Sequence, residues 1–173
     1  MAADGKSGTM VEVRVAHLGL DRNTNSPVVI LQEKDGPRVL PIWIGPAEAS
    51  AIAMELAGVK FSRPLTHDLL KQVIVGLAGE LRRVLITTVR ENTYFAELHI
   101  QRGEDVIQVD ARPSDSIAIA LRLKAPIFTS KDLLDLPSEP LSESAPDSTA
   151  LDAESLKDYL SKLNPEDFGK FTP

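Results

Sequence analysis

The sequence contains no cysteine. That removes disulfides, thiolate metal sites and cysteine nucleophiles together, and it makes a cytoplasmic location the default expectation. Aromatic residues are scarce at 5%, with a single Trp, and they do not interleave with basic residues as a base-stacking platform would require. No apolar run approaches the ~18 residues of a membrane span. The opening MAADGKSGTM lacks the apolar core of a secretory signal, so no membrane partner is expected. Three His without Cys disfavour a structural zinc site. The glycine patterns of P-loop and dinucleotide folds and the Ser nucleophile elbow are also missing, and no organic cofactor is implied.

What is present is a chain of 173 residues, 43% of them hydrophobic, long enough for one domain with a real core. The net charge of −6 is unevenly placed. Residues 132–173 carry ten acids against three bases, whereas residues 1–131 carry 16 bases and 15 acids. A near-neutral body can still hold a local basic groove, so bulk charge does not exclude a polyanion. Four segments follow: a flexible start over 1–10, a folded domain over 11–134, an acidic linker over 135–150 and a tail over 151–173. The linker DLPSEPLSESAPDSTA has three Pro, four Ser, four acids and no base. In the tail, Leu151, Leu156, Tyr159, Leu160 and Leu163 space an amphipathic helix.

Within the domain, Val11, Val13 and Val15 alternate with Glu12 and Arg14, predicting a half-buried strand. Residues 27–33, with the apolar run VVIL, and the segment 38–44 predict two more, with Pro41 pointing to an edge or a bulge. Pro46 opens an Ala-rich helix closed by Gly58. A second helix begins at Arg63-Pro64, with Leu69, Leu70, Val73, Ile74 and Leu77 as its apolar stripe and Gly79 as its stop. Strands over 81–90, 93–101 and 105–110 are joined by hairpin-length turns, and Arg112-Pro113 opens a helix to about residue 124. A short strand at 127–129 and a helical turn at 131–134 end the domain. PAEASAIAMEL from Pro46 aligns without a gap with PSDSIAIALRL from Pro113, five of eleven positions being identical. The expected class is therefore α+β: antiparallel strands in two βββα-like units with helices packed on the sheet, or a mixed sheet joining the two units. The strand edges left open in such a fold lead us to expect a homo-oligomer.

The dense polar clusters of this Ala- and Val-rich chain fall at helix starts. Glu48 and Asp115 both occupy the third helical position, counting the opening Pro as the first. They read either as acids complementing free backbone N–H groups or as carboxylates of a hard-metal or acid/base site. Asp110, Arg112, Ser114 and Asp115 lie at a strand-to-helix junction, where backbone N–H groups and an arginine can hold phosphate, or where a helix is simply well capped. Arg63, His67 and Asp68 form a third cluster, with His67 either in acid/base chemistry or on the surface of a capped first turn. Should the three starts converge, Asp110, Asp115 and Glu48 become candidate bases or ligands for Mg²⁺ or Mn²⁺. His67 is then the proton donor, with Arg112, Arg63 and Ser114 on the substrate. His17 and His99 sit in strands and read as partly buried residues. Arg82, Arg83, Arg90, Arg102 and Arg122 read as a solvated face.

At LPIWIGPAEASAIAMELAG, RPLTHDLL and VDARPSDSIAIALR the chain resembles the bifunctional nuclease domain family, over about residues 11–134, and the ending LNPEDF resembles the tails of bacterial members. The resemblance implies a compact α+β domain, nuclease activity toward both RNA and DNA, and nucleic acid as the partner. It carries no catalytic motif onto particular positions. Two other readings stay open: a non-catalytic module binding a small anion or a protein, and an assembly protein with a docking tail.

Overall fold

The computed structural model describes residues 8–21 and 24–136. Three strands, β1 (Met10–Leu20), β2 (Pro27–Glu33) and β3 (Val39–Trp43), form an antiparallel meander that leads into helix α1 (Pro46–Leu56). Helix α2 (Thr66–Gly76) follows. A second meander of β4 (Glu80–Arg90), β5 (Thr93–Arg102) and β6 (Asp105–Ala111) then leads into α3 (Pro113–Leu123). The chain returns through β7 (Ile127–Ser130) and a single turn, α4 (Lys131–Leu134). All seven strands share one sheet in the order β3-β2-β1-β7-β4-β5-β6.

The sheet is mixed. β7 runs antiparallel to β1 but parallel to β4, so the wholly antiparallel arrangement gives way to the mixed one. This four-residue strand is the seam between the two meanders. Pro41 lies in β3, which is an edge strand, where a missing N–H leaves no ladder bond unmade. A bulge between Val15 and His17 interrupts the alternation of β1, and it leaves His17 exposed rather than partly buried.

One core joins both meanders to the helices. It includes Val29, Leu31, Ile42, Ile52, Val84, Ile86, Ala96, Leu98, Ile117 and Ile119. Both long Pro-opened helices span eleven residues, and their small side chains (Ala49, Ala51 and Ala53 on α1, Ser116, Ala118 and Ala120 on α3) are buried. Small residues let the backbones approach, and Arg122 exploits this. Its side chain, only 3% exposed, donates to the Ala118 carbonyl at 3.0 Å, to the Ala51 carbonyl of α1 at 3.1 Å and to Asp68 of α2 at 2.7 Å. Arg122 thus belongs to the interior and not to a solvated face. α2 also departs from its expected role, because Ile74 is its one buried residue while Leu69, Leu70, Val73 and Leu77 remain exposed.

Among the described residues no helix is long and apolar enough to cross a membrane. Asp135, the first residue of the expected linker, is held by Arg38 at 2.7 Å. The rest of the linker from residue 137 and the tail helix lie outside the described residues.

Candidate active site

The starts of α2 and α3 meet, and the contact is made by polar side chains. His67, in the first turn of α2, lies 3.0 Å through Nε2 from Asp115 Oδ1, in the first turn of α3. Arg112, immediately before α3, donates through Nε to Asp115 Oδ2 at 2.7 Å. Its Nη2 lies 3.0 Å from Glu48 Oε1 at the start of α1. Three of the helix-start clusters are therefore linked in one chain, Glu48–Arg112–Asp115–His67. Asp115 turns both oxygens toward side chains rather than toward the free N–H groups of its own helix, so capping is not what occupies it.

The chemistry follows from the donor inventory. An ionised carboxylate only accepts, so His67 Nε2 carries the hydrogen toward Asp115 and Nδ1 is the nitrogen left free. Burial pushes the Asp115 carboxyl up, but the hydrogen bonds from Arg112 and His67 outweigh it and hold this group below the ordinary carboxylate range. Arg112 is correspondingly raised, first by its bond to Asp115. His99 is the instructive contrast. Its Nε2 meets Glu97 at 3.0 Å, its Nδ1 accepts from Arg83 at 3.5 Å, and the ring is buried, so both nitrogens are committed. Among the described residues His67 has only the bond to Asp115, which leaves one nitrogen for chemistry.

His67, Arg112 and Asp115 line one end of a groove of about 640 Å³ between α2, α3 and the β5–β6 hairpin. Leu70, Tyr94, Phe95, Leu98, Val109 and Ile119 give it a mainly apolar wall. Burial raises the Tyr94 phenol, so Tyr94 stays neutral and contributes surface rather than charge. The Arg90 guanidinium lies 5.9 Å from the Phe95 ring centre. This aromatic–cation pair was hidden in the sequence because a hairpin, not local spacing, brings the two together.

The remaining expected residues separate. Asp110 borders the groove, but its register partner on β5 is Glu97 while Val109 and Ala111 oppose the buried Leu98 and Ala96. Strand alternation thus sends its side chain to the other face of the sheet. Ser114 is buried in α3 and Arg63 is exposed, and neither lines the groove. The expected ligand set of Asp110, Asp115 and Glu48 does not assemble: Arg112 stands between the last two, and no group of three His, Asp or Glu suited to a metal occurs among the described residues. These side chains do not fit a three-carboxylate metal centre. The pairing of Asp68 with Arg122 is what the sequence did not show. Asp68 accepts from the Leu65 N–H at 3.0 Å through one oxygen and from Arg122 through the other, fixing the turn that carries His67. Burial raises the Asp68 carboxyl, but these bonds prevail and hold it low.

A sequence model of the bifunctional nuclease domain matches residues 29–141. The chain belongs to the bifunctional nuclease domain family. An uncharacterized protein of Mycobacterium tuberculosis (strain H37Rv) is 42% identical over 164 residues, covering 92% of this chain and 98% of its own. Bifunctional nuclease 2 of Arabidopsis thaliana is 31% identical over 112 residues, 63% of this chain and 34% of the plant protein. Bifunctional nuclease 1 of Oryza sativa subsp. japonica is 27% identical over 128 residues, and the match spans 39% of its length. The residues matched by the family model include the starts of α1, α2 and α3.

Proposed function

We propose that this bifunctional nuclease domain hydrolyses phosphodiester bonds in RNA and DNA at the groove end formed by His67, Asp115 and Arg112. The observation that supports the reading is the His67–Asp115 pair at a groove mouth, with one ring nitrogen uncommitted and an exposed guanidinium beside it. Asp115 orients the imidazole and sets its tautomer. His67 Nδ1 takes a proton from the attacking oxygen or, once protonated, returns one to the leaving oxygen. Arg112 lies where it can meet the phosphate by exchanging a carboxylate partner for a phosphate oxygen. The groove wall suits unstacked bases better than a duplex, because Leu70, Tyr94 and Val109 offer apolar surface and few donors.

The test is cleavage of labelled RNA and single-stranded DNA by highly purified chain, wild type against His67→Ala, with Mg²⁺, with Mn²⁺ and with chelator. A folded His67→Ala variant that loses at least ~10²-fold in rate supports the reading, whereas full retention overturns it. Chelator resistance would remove the metal from the proposal. A second reading, a protein-binding module, draws on the apolar wall and on the two carboxylates already neutralising Arg112. It predicts binding without turnover.

A further inference from the structure

The two edges of the sheet are unlike. β3 carries Pro41, which offers no N–H to a foreign strand, and its flank is braced by the Arg38 pairs to Glu33 and Asp135. β6 has neither Pro nor a basic residue from Asp105 to Ala111, and every residue through Asp110 is exposed. Edges of that length and composition are normally blunted by such devices. Register with β5 puts Ile107 opposite Ile100 and Val109 opposite Leu98, on the face that bears the helices. Yet Ile107 is 42% and Val109 39% exposed, and α2 makes its main sheet contact with β4. Leu70 and Val73 on α2, and Leu77 just past its end, are also uncovered. These side chains are between 39% and 61% exposed, and together they make a patch of a few hundred Å², within the range of the largest patch a monomer exposes. Adding the backbone of a paired strand brings it toward the ~800 Å² per partner of a stable interface.

We propose that β6 pairs antiparallel with β6 of a second copy of this chain about a two-fold axis at Gln108, joining the two sheets into one. The occupant is argued from the strand itself, which is its own complement. Antiparallel pairing about an axis matches residues whose numbers add to a constant, and centring on Gln108 overlaps all seven residues. Ile107 then faces the partner's Val109 on the helix-bearing side, and Val109 faces the partner's Ile107, giving two aliphatic β-branched pairs. Gln108 faces the partner's Gln108 on the other side, amide to amide. Val106 faces the partner's Asp110 and Asp105 the partner's Ala111, so no like charges are opposed. An isologous contact of this kind closes after two copies.

The chain's lack of cysteine makes the test clean. The full chain, 18.8 kDa, is sized by sedimentation velocity between about 1 and 50 μM and is expected to sediment as a dimer. Ile107→Lys combined with Val109→Lys places charge on two already exposed positions and is expected to give a folded monomer by circular dichroism. Independently, Gln108→Cys is expected to form a disulfide-linked dimer under mild oxidation, since directly opposed strand residues lie within disulfide reach. Val106→Cys is expected not to, because four residues of offset separate the two thiols by ~13 Å. A wild-type monomer at 50 μM overturns the proposal, as does a dimer that survives both lysines or cross-linking equal at 106 and 108. Should the lysine variant fail to fold, the pair of cysteine variants still decides.

Discussion

Asp115 has two oxygens, and each is claimed by a donor: Arg112 Nε at 2.7 Å and His67 Nε2 at 3.0 Å. An asparagine there has one acceptor for two donors. Either Arg112 or His67 Nε2 must face an NH₂ group, and the imidazole escapes by moving its hydrogen to Nδ1, the nitrogen the proposed chemistry needs. Asp115→Asn is therefore expected to keep the fold and to lower nuclease turnover by about 10²–10⁴-fold, read by single-turnover cleavage alongside circular dichroism. Arg122 makes a different kind of residue-scale case. Removing it as Arg122→Met strands Asp68, a third exposed, and leaves the Ala51 and Ala118 carbonyls without their donor. A loss of about 2–3 kcal/mol in urea unfolding is expected, below the full penalty of a wholly buried pair. Adding Asp68→Asn should recover part of it. Asp68 and Asp115 are both held low in the folded state, so each contributes stability that is complete above the ordinary carboxylate range. That stability is lost as the pH falls below about 4, where the unfolded chain takes up protons first. The Asp68→Asn variant should show a shallower fall in urea midpoint between pH 5 and 3 than wild type, at a lower starting value.

Elements were legible where local chemistry decides and obscure where tertiary partners do. Pro46 and Pro113 announced their helices because a ring at the first helical position forfeits no bond, and Pro41 announced an edge for the same reason. β7 was expected as a short strand at 127–129, but four residues cannot say where a strand sits, and its central place comes from the pairing of β1 and β4 on either side. The α2 stripe was visible as a pattern, but spacing does not say whether anything covers it. The end of α3 supports a prediction of its own. Lys124 terminates the helix with φ 54° and ψ 36°, the left-handed region that favours glycine. Lys124→Gly is expected to stabilise the protein by about 0.5–1 kcal/mol, seen as a rise of roughly 1–4 °C in Tm for a chain of this size. No change would mean that Lys124 makes compensating contacts in the folded state.

For the molecule as a whole, the candidate site is a product of how three helices share one face of a mixed sheet. The sequence marked polar residues at each helix start but not their pairing, because His67 and Asp115 are 48 residues apart and Arg122 and Asp68 are 54 apart. Asp110, adjacent in sequence to the cluster, was separated from it by nothing more than strand parity. Parity likewise turned Ile107 and Val109 toward an uncovered part of the helical face. If a second copy supplies the missing strand, folding and association are linked, since only the folded chain presents β6. Stability must then depend on protein concentration. A hundredfold increase adds about 2.7 kcal/mol per dimer, or roughly half of that per chain, which corresponds to a rise of about 3–5 °C in Tm at 2–4 °C per kcal/mol. Scanning calorimetry at 1 and 100 μM measures it. The wild type should shift by that amount and the Ile107→Lys, Val109→Lys variant should not, and equal shifts in both would place any association somewhere other than β6.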